Sequence, residues 1–293
     1  MDEYAIGVLT SIGLVSFLAL SAYLLLIAGE LSFGQQAFFG VGAYGAGIGT
    51  AMLGWPLPVA VIFGMALGAF AALLVALPTL RLRGLYFAMA TLAAAEMMRI
   101  LFELLHWQAD VAGELVGPDG TQGFRGIRWI FERGVEPEGF LALVWALLGA
   151  VMLVFLWMER SRLGVTLRAA GQDPELARSL GVNVERLKLV VVAASGALAA
   201  LGGALFAHHN TYIEPRNFDM MLGVHSLAYA LIGGLGTALG PLLGAALDIG
   251  VLEGSRFLQG YRMIVFGGLV AVLLIYRPRG LLDEQLVHWW RRR

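Results

Sequence analysis

Three small groups of residues carry side chains and spacings that could do chemistry. Ser195, within Ala193-Ala194-Ser195-Gly196, lies upstream of His208 and His209, the residue types of a hydrolytic nucleophile and its base. Glu96, Arg99 and Glu103 fall at i, i+3 and i+7, on one face of a helix, where charge could line or gate a path for a polar solute. Ser32, Gln35 and Gln36 lie where a polar turn meets a glycine-dense stretch. Hydroxyls, amides and the free backbone groups of a broken helix are suited to the carboxylate and ammonium of a zwitterion. Gly34 belongs with that set, and Gly233, Gly234 and Gly236 mark a second break of the same kind.

Each group also has a plainer reading. Ser195 and His208 share one helix and stand thirteen residues, or about 20 Å, apart along its axis, so they cannot touch; only a base from another helix, such as His225, would complete a protease. Glu96 and Arg99 can satisfy each other and lock helix to helix. Ser32, Gln35 and Gln36 can be interfacial residues at a helix start, and the glycines can be there for close packing. His208, His209 and His225 lack the helical spacing of a two-histidine metal site, and no metal is expected. Asp248 and Glu253 have a possible ion-pair partner in Arg256 and are given no role. No catalytic residue is assigned.

The elements that position these residues must lie in a bilayer. Hydrophobic residues make up 59% of the chain and charged residues 14%, against roughly 25% charged in soluble domains. With no cysteine, disulfides, iron–sulfur clusters and thiolate zinc sites are excluded. The net charge of −1 argues against nucleic acid as a partner. A P-loop is excluded as well, because the single lysine, Lys188, follows Leu187 rather than glycine. Any ATP hydrolysis must come from another chain.

Apolar runs of about 20 residues mark spans at 5–28, 33–53 (glycine-dense), 57–77, 84–105, 139–158, 189–207 and 263–276. Residues 220–253, broken at Gly233-Gly234-Leu235-Gly236 and Pro241, read as two short helical pieces, either a re-entrant hairpin or two thin crossings. The expected fold is an all-α polytopic membrane protein with about eight transmembrane helices and glycine-broken or re-entrant segments. The order span, polar turn, broken segment occurs twice in opposite orientation, as in an inverted repeat. The start, Met1-Asp2-Glu3, lacks the basic residues of a cleaved signal, so the first run is expected to stay as a span. Arg81, Arg83, the island 159–188, Arg277, Arg279 and Arg291–Arg293 place one side, with the C-terminus, in the cytoplasm. Residues 106–138, with six acids against three arginines, form an extracytoplasmic loop. Trp55, Trp107, Trp157, Trp289 and Trp290 fit an aromatic belt.

Within the cytoplasmic island, Asp173-Pro174-Glu175-Leu176-Ala177-Arg178-Ser179-Leu180-Gly181 reads as a complete short helix. Asp173 caps it, Pro174 takes the first position, Glu175 meets the positive end of the dipole, and Gly181 adopts the left-handed stop. Leu176 and Leu180 share a face, and the loop has no domain of its own for them to cover, so they suggest a docking peg for a partner. An ordinary surface helix is the plainer reading.

This island, from Arg162-Leu163-Gly164-Val165-Thr166-Leu167-Arg168-Ala169-Ala170 through Val182-Asn183-Val184, resembles the cytoplasmic loop of permease subunits from ABC importers of the branched-chain amino acid class. The resemblance extends over nearly the whole chain: Leu31–Tyr44, Leu80–Ala88, Ile232–Thr237 with Gly240-Pro241, and Arg277–Leu281 are similar to further motifs of that family. Arg81–Gly84 and the long outer loop look like the LivM type. Gln35-Gln36 departs from the small residue and histidine common in the family, which leaves urea, short amides or other amino acids open as cargo. The resemblance implies one permease domain over 1–293, with 159–188 as its coupling loop. Arg168, Asp173, Pro174, Glu175, Leu176, Ala177, Leu180 and Gly181 would then couple to a separate ATPase. It also implies a second homologous permease subunit in a heterodimer, two ATP-binding cassette subunits holding ATP and magnesium, and an extracytoplasmic solute-binding protein. Membrane lipid would surround a multi-pass protein of a bacterial or archaeal inner membrane, with no cofactor bound by this chain. A gradient-driven transporter is the competing class, but it would need ionisable groups near the bilayer centre, where this chain has few.

Overall fold

The computed structural model describes residues 2–79, 81–82, 84–111, 113–253, 262–277 and 280–282. Arg83, Arg256, Arg279, Trp289, Trp290 and Arg291–Arg293 lie outside the described residues. Its helices are α1 (Glu3–Ile27), α2 (Gln35–Gly47, continued by a π-helical turn Ile48–Met52), α3 (Leu57–Thr79), α4 (Leu85–Leu104), α5 (Trp129–Glu132) and α6 (Pro137–Arg160). They continue with α7 (Arg162–Gln172), α8 (Pro174–Ser179), α9 (Val184–Asn210), α10 (Met220–Gly233), α11 (Leu239–Ala245, continued as π-helix over Ala246–Glu253) and α12 (Arg262–Tyr276). Among the described residues, α1, α3, α4, α6 and α9 are long and apolar enough to cross a membrane. The protein is helical and polytopic. It also has a feature the apolar pattern did not disclose: three short antiparallel strands, β1 (Ala109–Val111), β2 (Glu114–Pro118) and β3 (Phe124–Arg125), in sheet order β1-β2-β3.

Local chemistry sets the helix ends. Pro137 occupies the first turn of α6 and Arg160 its last, each favourable at that end. Asn183 accepts from the Arg186 N–H at 3.0 Å to start α9, and Asp219 accepts from Leu222 N–H at 3.0 Å to start α10.

The molecule has a sheet end and an α8 end. At the sheet end, Phe124 and Ile213 exchange backbone hydrogen bonds, joining the sheet to the loop after α9. At the α8 end, Lys188 at the start of α9 pairs with Glu30 just beyond α1. α1 and α9 therefore run in opposite directions through the centre. The chain after Glu30 turns back inward before α2 starts, so α2 rises only from mid-molecule to the sheet end, where Gly47 meets Phe124 and Ile127. α10 starts beside it, with Gly223 against Gln36, and runs the other way, to the α8 end.

Packing follows the same exchange: α2 and α3 lie on α9, whereas α10 and α11 lie on α1. This is the packing counterpart of the inverted order read in the sequence. Small residues make it close, for a Cβ at Gly42 would collide with the Ala200 backbone and one at Gly196 with Gly68. The core built around these contacts includes Phe17, Tyr23, Phe39, Tyr44, Phe102, Phe124 and Phe218.

Candidate functional site

Two places concentrate polar chemistry, one at the α8 end and one at mid-molecule. In α8, the Asp173 carboxylate accepts from Glu175 N–H at 3.1 Å and Leu176 N–H at 2.9 Å, and Pro174 fills the first turn. The far end closes with Gly181 N–H to Arg178 O at 2.9 Å and Val182 N–H to Ala177 O at 3.1 Å, around Gly181 at φ +86°. Glu175 and Arg178 pair at 2.7 Å. Ala177 faces inward on Ala170 and Val184, pinning α8 to α7 and α9, so it is no part of an outer contact face. Leu176 and Leu180 stay 58% and 76% exposed. The polar groups of this peg are satisfied internally while its two leucines are bare.

Arg168 belongs to α7 and points away from α8's surface. Its guanidinium donates to Leu235 O at 3.1 Å, Gly236 O at 3.2 Å and the Tyr23 hydroxyl at 3.1 Å. Glu159, at the end of α6, accepts from Tyr23 Oη at 2.9 Å, Thr237 Oγ1 at 3.3 Å and Ala238 N–H at 2.6 Å. The turn between α10 and α11 is thus gripped at the α8 end by a cation and a carboxylate that both precede the peg in sequence. Leu281 and Leu282 N–H bond Ile232 O and Gly233 O, each at 2.9 Å, adding a third strap. Gly233 and Gly240 meet backbone to backbone in this turn, and Gly234 takes φ +97°.

At mid-molecule, α2 starts from Gly34 with no side-chain cap. Ser32 Oγ accepts from Gly34 N–H at 3.1 Å, and Thr91 of α4 accepts from Phe33 N–H at 3.1 Å. Gln35 and Gln36 are fully buried. Gln35 Oε1 lies 3.0 Å from Ser21 Oγ and 3.1 Å from Ser195 Oγ, while its Nε2 has no partner. Turning the amide over would let nitrogen donate to both hydroxyls and leave oxygen alone, so either orientation strands one polar atom. Gln36 Oε1 is stranded as well, and so is the Tyr44 hydroxyl two turns along α2, where its ring stacks on Phe102 at 4.5 Å. A buried polar atom left without a hydrogen bond costs roughly 1–3 kcal/mol. Three such groups lie along one helix.

The structure therefore divides the glycines and polar residues read as one pathway. Ser32, Gly34, Gln35 and Gln36 meet at the α2 start, whereas Gly233, Gly234 and Gly236 sit at the α8 end in Arg168's grip, separated by the length of α10. Glu96 lies on α4 beside neither; Arg99 Nε donates to it at 2.8 Å, and Arg99 also pairs with Glu103. Ser195 is engaged by Ser21 O at 2.9 Å and by Gln35, not by a histidine. His208 bonds Thr50 Oγ1 at 2.9 Å and Ala204 O at 2.7 Å, and His209 stacks on Phe140. Asp248 accepts from Tyr229 Oη at 2.6 Å. Among the described residues no cluster suits a metal ion. A cavity of about 550 Å³ opens at the sheet end between Thr50, Met52, Glu114, Arg128, Trp129 and Glu132.

Sequence reasoning missed Glu159, Tyr23, Ser21, Thr91 and Tyr44. Only Glu159 offered a signal, as the first charge of the polar island.

The family model described as branched-chain amino acid transport system / permease component matches residues 4–275. The chain is 32% identical over 284 residues to the high-affinity branched-chain amino acid transport system permease protein LivM of Escherichia coli K12, covering 87% of this chain and 64% of that protein. LivM of Salmonella typhimurium is 31% identical over 277 residues, with the same coverage. The LivH permease of Escherichia coli K12 is 29% identical over 147 residues, 49% of this chain and 47% of that protein. The chain thus spans just under two thirds of the length of the LivM relatives it matches. No solved structure matches it.

Proposed function

This chain belongs to the branched-chain amino acid transport system permease family, and from that premise we propose that it is the permease subunit of an ATP-driven importer for a branched-chain or related amino acid. The observation that carries the proposal is the leucine peg of α8, pinned through Ala177 to α7, whose Arg168, with Glu159 of α6, holds the turn between α10 and α11. A partner pressing on Leu176 and Leu180 moves α7 and α8. Arg168 and Glu159 pass that displacement to the turn between α10 and α11, and the opposite end of α10, its start, lies with Gly223 against Gln36 at the buried site. Force applied at one surface thereby reaches the place where a solute is held.

In this reading the α8 end faces the cytoplasm, with the C-terminus, and two ATP-binding cassette subunits meet the pegs of two paired permeases. The sheet end faces outward, and a solute-binding protein delivers cargo there. Both LivM and LivH relatives are permeases of branched-chain systems, which supports a pair of unlike permease chains. The stranded side-chain amides of Gln35 and Gln36 at the start of α2 supply donors and acceptors for a carboxylate and an ammonium. The site's side chains are neutral, which favours a second reading in which the cargo is urea or a short amide.

Purification of the tagged chain from its native membrane tests the class. An ATP-binding subunit, a second permease and a binding protein are expected as companions, and recovery of an active transporter without any ATP-hydrolysing chain overturns the proposal. Competition of leucine against urea for uptake then separates the two cargo readings.

A further inference from the structure

We infer that the outward side of α4 is the seam against the second permease subunit, an inference that rests on the importer reading above. α4 and α6 are the two long helices least enclosed by the rest of the chain, and to the same extent. Their chemistry differs. α6 presents Leu143, Leu153, Val154 and Trp157 outward, and keeps Glu138, Glu159 and Arg160 in its end turns. α3, also partly bare, contains no charged residue. Both faces suit hydrocarbon.

α4 is the least apolar of the five long helices. Glu96, with 46% of its side chain exposed, lies eleven residues into α4, about 17 Å along the axis and well inside a span. Arg99 and Glu103 complete a triad that sums to −1, so internal pairing cannot neutralise it. A net charge facing lipid at that depth is costly, and such groups turn toward protein or water. A second copy of this chain across a twofold axis would set −1 against −1. The occupant is therefore an unlike chain offering a cation or N–H donors at this level. Exposed Met89 and Met97 beside the triad are flexible, polarisable side chains suited to such a contact. The inward side of α4 holds Phe33 N–H through Thr91, so the seam lies one helix away from Gln35 and Gln36.

The test uses the whole complex in lipid, with p-benzoylphenylalanine placed singly at Met89 or Met97 on α4 and at Leu153 or Val154 on α6. Illumination is expected to join the α4 variants to the second permease and the α6 variants to lipid alone. Adducts from α4 to a second copy of this chain, or to lipid alone, overturn the inference. Independently, Glu96→Gln with Glu103→Gln turns the triad from −1 to +1 and should lower recovery of the second permease severalfold while the ATP-binding subunit stays attached. Unchanged recovery counts against the seam. If no second permease accompanies the unaltered chain, the importer reading itself fails; if it does but cross-links elsewhere, only the seam fails.

Discussion

The start of α2 and the short helix α8 interrupt an apolar chain in opposite ways. Around α8 every cap is made within the chain, by Asp173, Arg178 O and Ala177 O, and what remains bare is Leu176 and Leu180. At the start of α2 the apolar surface is covered, and what remains unmet is polar: Gln35 Nε2 and Gln36 Oε1. Bare leucines on a self-satisfied peg are complementary to an apolar groove on another protein. Buried amides short of partners are complementary to a small polar molecule. Under the importer proposal, the contrast separates where force would enter from where cargo would rest, and each site can be disturbed without touching the other.

The largest effect is expected from Leu176→Asp with Leu180→Asp. Charging both leucines should weaken attachment of the ATP-binding subunit by roughly thirtyfold or more, as for loss of a hot spot worth about 2 kcal/mol. Uptake should collapse with little change in melting temperature; normal uptake would remove α8 from the mechanism. Gln36→Leu should do the reverse. It relieves a stranded oxygen, so melting temperature holds or rises, while uptake falls about tenfold through loss of one buried hydrogen bond to cargo. A lower melting temperature with unchanged uptake would make Gln36 structural and dissolve the contrast.

Arg168→Ala probes the link between the two regions. ATP hydrolysis should persist, with uptake per ATP reduced severalfold, and Arg168→Lys should rescue only part, because an ammonium cannot reproduce the guanidinium's fork. Equal loss of hydrolysis and uptake would place Arg168 in the docking surface instead. The smallest effect belongs to Asp173→Ala. Loss of the cap costs about 1 kcal/mol locally, so the peg frays and uptake drops about two- to threefold; no change would mean that packing of Ala177 alone holds α8.

What the sequence disclosed divides along the same line. Caps and stops act between residues two to five apart, so Asp173, Pro174 and Gly181 could be read directly, as could the apolar spans and the break at 220–253. The partners of Arg168 lie 67, 68 and 145 residues away, and those of Gln35 include Ser195, 160 residues away, and no local pattern encodes such pairings. This is why Gly233, Gly234 and Gly236 read like cargo-site glycines when they form the turn that Arg168 and Glu159 grip. The three strands within 106–138 escaped notice because each has five residues or fewer, too short for an alternating pattern to emerge.

The central claim is that an ATP-hydrolysing partner acts on this chain through α8. A photoreactive side chain at Leu180, illuminated in a transporting complex, tests it most directly. The account predicts a covalent adduct with the ATP-binding subunit, lost when Leu176 is also changed to aspartate. An actively transporting complex that yields no such adduct, or labelling of Leu180 from outside intact cells by a membrane-impermeant reagent, would contradict it.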